Sequence, residues 1–134
     1  MKFIDTSIFI RYLTDDIPEK AEACERLFRK TVALNEELIT TELIIAEIIW
    51  VLESYYEITK EDVREKVEKI LNTPNLRCEN KDLILRALAI YSEKNIDYVD
   101  AYNAVFMKDH DLDRIYSYDK HYDRVDGITR VEPE

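Results

Sequence analysis

Short apolar runs alternate with longer helical patterns along this chain, and that alternation limits its fold more than any other feature. Lys2–Asp5 reads as a short buried strand and Thr6–Leu13 as a helix. A break at Thr14-Asp15-Asp16-Ile17 leads to Pro18, well placed near a helix start. Glu19–Lys30 then carries Ala21, Cys24, Leu27 and Phe28 at helical spacing. Leu38–Thr40 is a second strand candidate. Thr41 is placed to cap a helix reaching about Tyr55, and Thr59 to cap another with Val63, Val67, Ile70 and Leu71 on one face. After a turn at Asn72–Asn75, Leu76–Cys78 reads as a strand and Lys81–Lys94 as a helix. Tyr98–Lys108 is helical again, and Arg114–Tyr118 and Ile128–Val131 are the last strand candidates. Such alternation predicts an α/β protein with a mostly parallel sheet. At 134 residues the simplest organisation is one domain, 1–134, large enough to need no disulfide or metal staple.

Ligands of parallel sheets sit beyond the carboxyl ends of the strands. Asp5 and Asp119 fall at predicted strand ends, and Glu47 and Asp100 fall in helices expected to pack nearby, which is compatible with one shared pocket. Glu47 has Leu43, Ile44, Trp50 and Val51 three and four positions away, so an ionised Glu47 there needs a partner or a metal. The alternative is a Glu47 at the margin of the core that reaches water or an Arg. Asp100 shares a helix face with Asp97, with Asn103 and Ala104 one turn on. Equally, Asp97 is positioned to cap that helix and Asp100 to favour its dipole. Asp5 and Asp119 each have a capping alternative too. Ser7 and Ser117, each two residues from one of these aspartates, are candidates to hydrogen-bond the carboxylates, or else form local turns. All-oxygen ligation points to Mg²⁺ or Mn²⁺, one or two ions, and such ions suit phosphodiester hydrolysis. His110 and His121 read as surface residues. Five of the nine tyrosines, Tyr98, Tyr102, Tyr116, Tyr118 and Tyr122, lie near the acids and read as packing before base stacking. Arg11, Lys108, Lys120 and Arg124 read as solvated.

The balance of 19 basic and 29 acidic residues, a formal net charge of −10, argues against a broad phosphate-binding footprint and favours a basic partner. Cys24 and Cys78 are isolated and read as buried small hydrophobes, which predicts a reducing, cytoplasmic setting. No secretory leader is expected, and Leu43–Leu52 is too short to span a bilayer.

FIDTSIFIRYL, TELIIAEIIWVLE, DYVDAYNAVFM and YSYDKHYDRVDGI, in that order, resemble the PIN domain, and more narrowly the VapC-type toxins of toxin–antitoxin pairs. The resemblance implies a three-layer α/β/α fold around a central, mostly parallel sheet of four to five strands. It implies a Mg²⁺- or Mn²⁺-dependent ribonuclease whose acids match Asp5, Glu47, Asp100 and Asp119, with Asp97 as a further acidic position. Ser7 and Ser117 match hydroxyls that support those acids, and Asn103 is read with them. Tyr122 stands where members often carry Phe. A homodimer and a cognate antitoxin with a basic segment are also implied. Tyr12, Leu13, Ile49 and Leu52 are candidates for the dimer face, with core packing the safer reading. The endoribonuclease of a type II toxin–antitoxin pair is therefore the leading expectation. The alternatives are an acidic-groove module that binds a basic peptide or RNA without cutting, and a housekeeping PIN nuclease of RNA processing.

Overall fold

Thr41 and Thr59 begin helices as their positions predict. Thr41 Oγ1 accepts the N–H of Ile44, and Thr59 Oγ1 that of Asp62, each at 3.3 Å. The structure is a computed structural model that describes all 134 residues. Its chain divides into two units, Met1–Lys81 and Asp82–Glu134.

The first unit runs β1 (Lys2–Phe3), α1 (Thr6–Leu13), α2 (Pro18–Ala33), β2 (Leu38–Thr40), α3 (Glu42–Ser54), α4 (Lys60–Leu71) and β3 (Leu76–Cys78). The strands form a parallel sheet in the order β1-β2-β3, with Lys2 opposite Leu38 and Leu38 opposite Leu76. The expected buried first strand is corrected. Lys2 and Phe3 are exposed at the end of the three-stranded sheet, and burial begins at Ile4. Ile45, Ile48, Ile49 and Leu52 of α3 and Val63, Val67, Ile70 and Leu71 of α4 are buried. Each contributes on the order of 1.5–3 kcal/mol by leaving water. Phe9 of α1 stacks on Phe28 of α2 with ring centroids 6.1 Å apart. Leu13, Ile49 and Leu52 thus serve the core, as the safer reading had it.

The second unit holds most of α5 (Lys81–Glu93), then α6 (Tyr98–Asp109), β4 (Arg114–Tyr116), a 3₁₀ turn (Lys120–Arg124) and β5 (Thr129–Val131). β4 and β5 pair in parallel, with Ile115 opposite Arg130. Ile84, Ala87, Leu88 and Tyr91 of α5 and Ala101, Ala104 and Val105 of α6 supply its buried residues, with Ile96 between the helices. The α/β class and the parallel pairing agree with expectation. The five strands stand as a three-stranded and a two-stranded sheet, one in each unit.

The chain has one glycine, Gly127, at φ +83°. Its other left-handed corners fall on Asn35, Glu57, Asn75, Asn80, Asn95 and Asp111. Asparagine and aspartate tolerate this region better than other non-glycine residues. At the end of α2, Asn35 donates its N–H to Val32 O and Glu36 donates to Thr31 O, which satisfies carbonyls the helix leaves open. Cys24 and Cys78 are free and buried, and burial pushes both thiols up. No helix is long and apolar enough to cross a membrane.

Candidate metal centre

In the second unit, the start of α6 and the 3₁₀ turn bring Asp97, Asp100, Asp119 and His121 together. Their potential ligand atoms all lie within 4.8 Å of one another. Asp97 occupies the N-cap of α6 but makes no capping bond, so its carboxylate is left for the cluster. Asp100 sits one turn on, with its side chain 13% exposed, against 41% for Asp119 and 65% for Asp97. The site is thus graded from a sheltered floor at Asp100 to a wet rim at Asp97. Asp119 does cap its turn: Oδ1 accepts the N–H of His121 at 2.9 Å. Ser117 Oγ accepts the N–H of Asp119 at 2.9 Å. The local-turn reading of Ser117 is therefore the observed one, and it fixes the backbone of Asp119 instead of bonding the carboxylate.

Burial pushes the Asp100 carboxyl above its ordinary value, and the neighbouring Asp119 pushes the same way, while His121 and Tyr122 pull it down. Asp119 is held below its ordinary value, first by the backbone N–H of His121 and then by Asp100. Two carboxyls with ligand atoms within 4.8 Å of each other and acidities that move apart are short of positive charge. A divalent cation suits that donor set, which offers three carboxylates and one imidazole.

His121 is the residue that sequence reasoning missed. Its polar surroundings in the sequence predict a surface residue, yet Nδ1 lies 3.2 Å from Asp100 Oδ2, 3.5 Å from Asp119 Oδ1 and 3.7 Å from Asp97 Oδ2. The same nitrogen is 3.5 Å from the backbone N of Asp97. It either donates to a carboxylate or offers its lone pair to a donor or a metal, one role at a time. The available signal was its place two residues after Asp119, inside the turn that Asp119 caps. His110, by contrast, is exposed and stacks on Phe106, as its surface reading had it.

The acids of the first unit stand differently. Asp5 is the exposed N-cap of α1 and makes no side-chain capping bond. The capping alternative does not account for it. Glu47 is exposed, which corrects the expectation of a Glu ringed by core residues. The buried face of α3 is Ile45, Ile48, Ile49 and Leu52. Leu43 and Trp50, two of the residues that were to enclose Glu47, are 82% and 67% exposed. A helix apolar on nearly every face does not show by spacing alone which face is core. Glu47 is nonetheless held: Thr6 Oγ1 donates to its Oε2 at 2.9 Å. Thr6 is buried and Ser7 is exposed, so Thr6 makes the supporting bond expected of Ser7. That bond ties the start of α1, next to Asp5, to the middle of α3.

Asn103 reaches the cluster indirectly. Its Nδ2 donates to the Tyr122 hydroxyl at 3.0 Å, and Tyr122 follows His121 in the 3₁₀ turn. Tyr98 and Tyr122 are buried, while Tyr116 and Tyr118 are exposed. Arg11 pairs with Asp16 at 2.9 Å, and Arg124 donates to Asn95 O at 2.6 Å. Lys108 and Lys120 are exposed.

A parallel α/β chain with this acidic cluster defines a class, and the family model of the PIN domain matches residues 2–128. The chain belongs to the PIN domain family. It is also 29% identical over 133 residues to a VapC ribonuclease of Aquifex aeolicus (strain VF5), covering 99% of this chain and 97% of that protein.

Proposed function

We propose that the protein is a Mg²⁺- or Mn²⁺-dependent endoribonuclease and the toxin of a type II toxin–antitoxin pair. The observation that carries this reading is the convergence of Asp97, Asp100 and Asp119 within 4.8 Å in a chain of the PIN family. Similarity to a protein described as a VapC ribonuclease supports the substrate class. We assign Asp5, Glu47, Asp100 and Asp119 as the catalytic acids, with Asp97 as a further ligand, and treat residues 1–134 as one working domain. One or two ions are expected. A bound divalent ion supplies an activated water and neutralises charge on the scissile phosphate. The chain's own part is to aim the acids: Asp119 through the His121 N–H and Ser117, Glu47 through Thr6.

The net charge of −10 fits an antitoxin that presents a basic segment. Exposed Leu43 and Trp50 on α3 are the apolar surface that a homodimer calls on. The two free, buried cysteines fit a reducing cytoplasm.

The test is RNA cleavage in the presence and absence of Mg²⁺. The expected result is metal-dependent cleavage by the parent and none by Asp5→Asn with the fold retained by circular dichroism. Equal cleavage by Asp5→Asn overturns the assignment. Failure of the parent to bind Mn²⁺ at millimolar concentration in a calorimeter would favour the non-catalytic acidic-groove reading instead.

A further inference from the structure

Arg130 stands in the middle of β5, opposite Ile115 of β4, and its side chain is only 14% exposed. A guanidinium that far out of water needs partners for its N–H groups. It finds them at both ends of one short segment. Nη1 donates to Ser117 O at 3.1 Å, two residues before Asp119. Nε donates to Asp123 Oδ1 at 3.1 Å and Nη2 to Asp123 Oδ2 at 3.4 Å, inside the 3₁₀ turn. Nη1 also donates to Glu132 Oε1 at 2.7 Å, which steadies the fork from the residue after β5. Ser117 is in turn tied at its other groups. Its N–H donates to Val131 O at 3.0 Å, and its hydroxyl accepts the Asp119 N–H at 2.9 Å. Between Ser117 and Asp123 lie Asp119 and His121, whose ligand atoms gather with those of Asp97 and Asp100 within 4.8 Å. One side chain thus brackets the segment that delivers half of the cluster.

We infer that Arg130 is a positioning residue of the metal centre: its guanidinium clamps Ser117 to Asp123 and so fixes where Asp119 and His121 stand against Asp97 and Asp100. The inference rests on the metal-dependent reading above and adds to it a residue on β5 that acts only through the turn. A planar guanidinium meets both oxygens of a carboxylate and still has an N–H for a carbonyl, whereas an ammonium is a point charge that cannot span them all. Charge and fork are therefore separable by substitution. Contacts behind the ligands matter because they aim the donor atoms before an ion arrives.

The experiment takes the full chain as parent, Arg130→Met, Arg130→Lys and Leu88→Ala, the last a buried residue of α5 that serves as a stability control. Two quantities are read: the ring signals of the chain's two histidines by NMR without metal, and Mn²⁺ affinity by calorimetry. Arg130→Met should shift the His121 signals, leave those of His110 in place and weaken Mn²⁺ binding about tenfold. Arg130→Lys should fall between parent and Arg130→Met in both. Leu88→Ala should lower the thermal midpoint and keep both readings at the parent's values. Parental His121 signals or parental Mn²⁺ affinity in folded Arg130→Met overturn the inference and leave the metal-dependent reading standing. Equal changes in Leu88→Ala overturn it too, since loss of stability would then suffice. If Arg130→Met fails to fold, Arg130→Lys decides by the same two readings. A parent that binds no Mn²⁺ overturns the metal-dependent reading and this inference with it.

Discussion

The two units hold their acids by opposite means. In Asp82–Glu134 the acids come from two short stretches, Asp97–Asp100 and Asp119–His121, and they gather around the His121 ring and the turn that carries it. In Met1–Lys81, Asp5 makes no capping bond, and Glu47 is exposed and secured by Thr6, a partner 41 residues away. One group is organised by a turn that folds back on the start of α6, the other by packing of α1 against α3. The difference separates two kinds of fragility. The cluster follows the docking of that turn on α6, while an acid held by helix packing follows the stability of those helices.

The largest effect is expected at Asp100. Asp100→Asn should lower RNA cleavage by more than about a hundredfold, measured in single-turnover assays with Mg²⁺. Without divalent ions the same variant should be more heat-stable than the parent at neutral pH. A carboxyl whose folded pKa is raised binds more protons folded than unfolded, so its contribution turns unfavourable as pH rises from the ordinary carboxylate value through the raised one. Asp119 runs the other way. Its pKa is lowered, so its contribution is present above the ordinary value and is lost as pH falls through the lowered one. Mn²⁺ should then raise the thermal midpoint of the parent and not that of Asp100→Asn. A less stable metal-free Asp100→Asn would show that the cluster is self-sufficient without a cation.

Next come the two faces of α3. Leu52→Ala should destabilise by about 2–5 kcal/mol in urea titrations, and Leu43→Ala by less than about 0.5 kcal/mol. Loss of cleavage in step with stability in the Leu52→Ala chain would confirm that Glu47 depends on helix packing. A smaller effect than that of Leu52→Ala is expected for Thr6→Val, which keeps shape and removes the hydroxyl on Glu47. It should cost about 1 kcal/mol. Cleavage should fall more than that stability change alone explains, and unchanged cleavage would remove Thr6 from the supporting set.

Fold was more legible in the sequence than site. The bounds of α1, β2, α3, α4 and β3 follow from caps, Pro18 and strict periodicity, all of which are local signals. What spacing did not disclose is the core face of α3, because Ile44, Ile45, Ile48, Ile49, Trp50 and Val51 make it apolar nearly all round. Spacing therefore predicts for Glu47 a burial it does not have. The acids Asp97, Asp100 and Asp119 were legible from motif order, and they do converge. His121 and Tyr122 were not, since their significance lies in how a five-residue 3₁₀ turn points consecutive side chains, one at the acids and the next into the core. Thr6 and Ser7 are neighbours of similar chemistry, and the rotation of α1 alone decides which of them meets Glu47.

The asparagine corners bear on how the protein ages. Asparagine degrades fastest through attack by the backbone nitrogen of a following glycine, which offers no side chain to hinder ring closure. Here Asn35, Asn75, Asn80 and Asn95 are followed by Glu36, Leu76, Lys81 and Ile96, and the lone Gly127 follows Asp126. The chain takes its left-handed turns with the residue most prone to chemical damage, yet places each one before a bulky neighbour. Its asparagine corners should therefore outlast those of a protein that turns on Asn-Gly pairs.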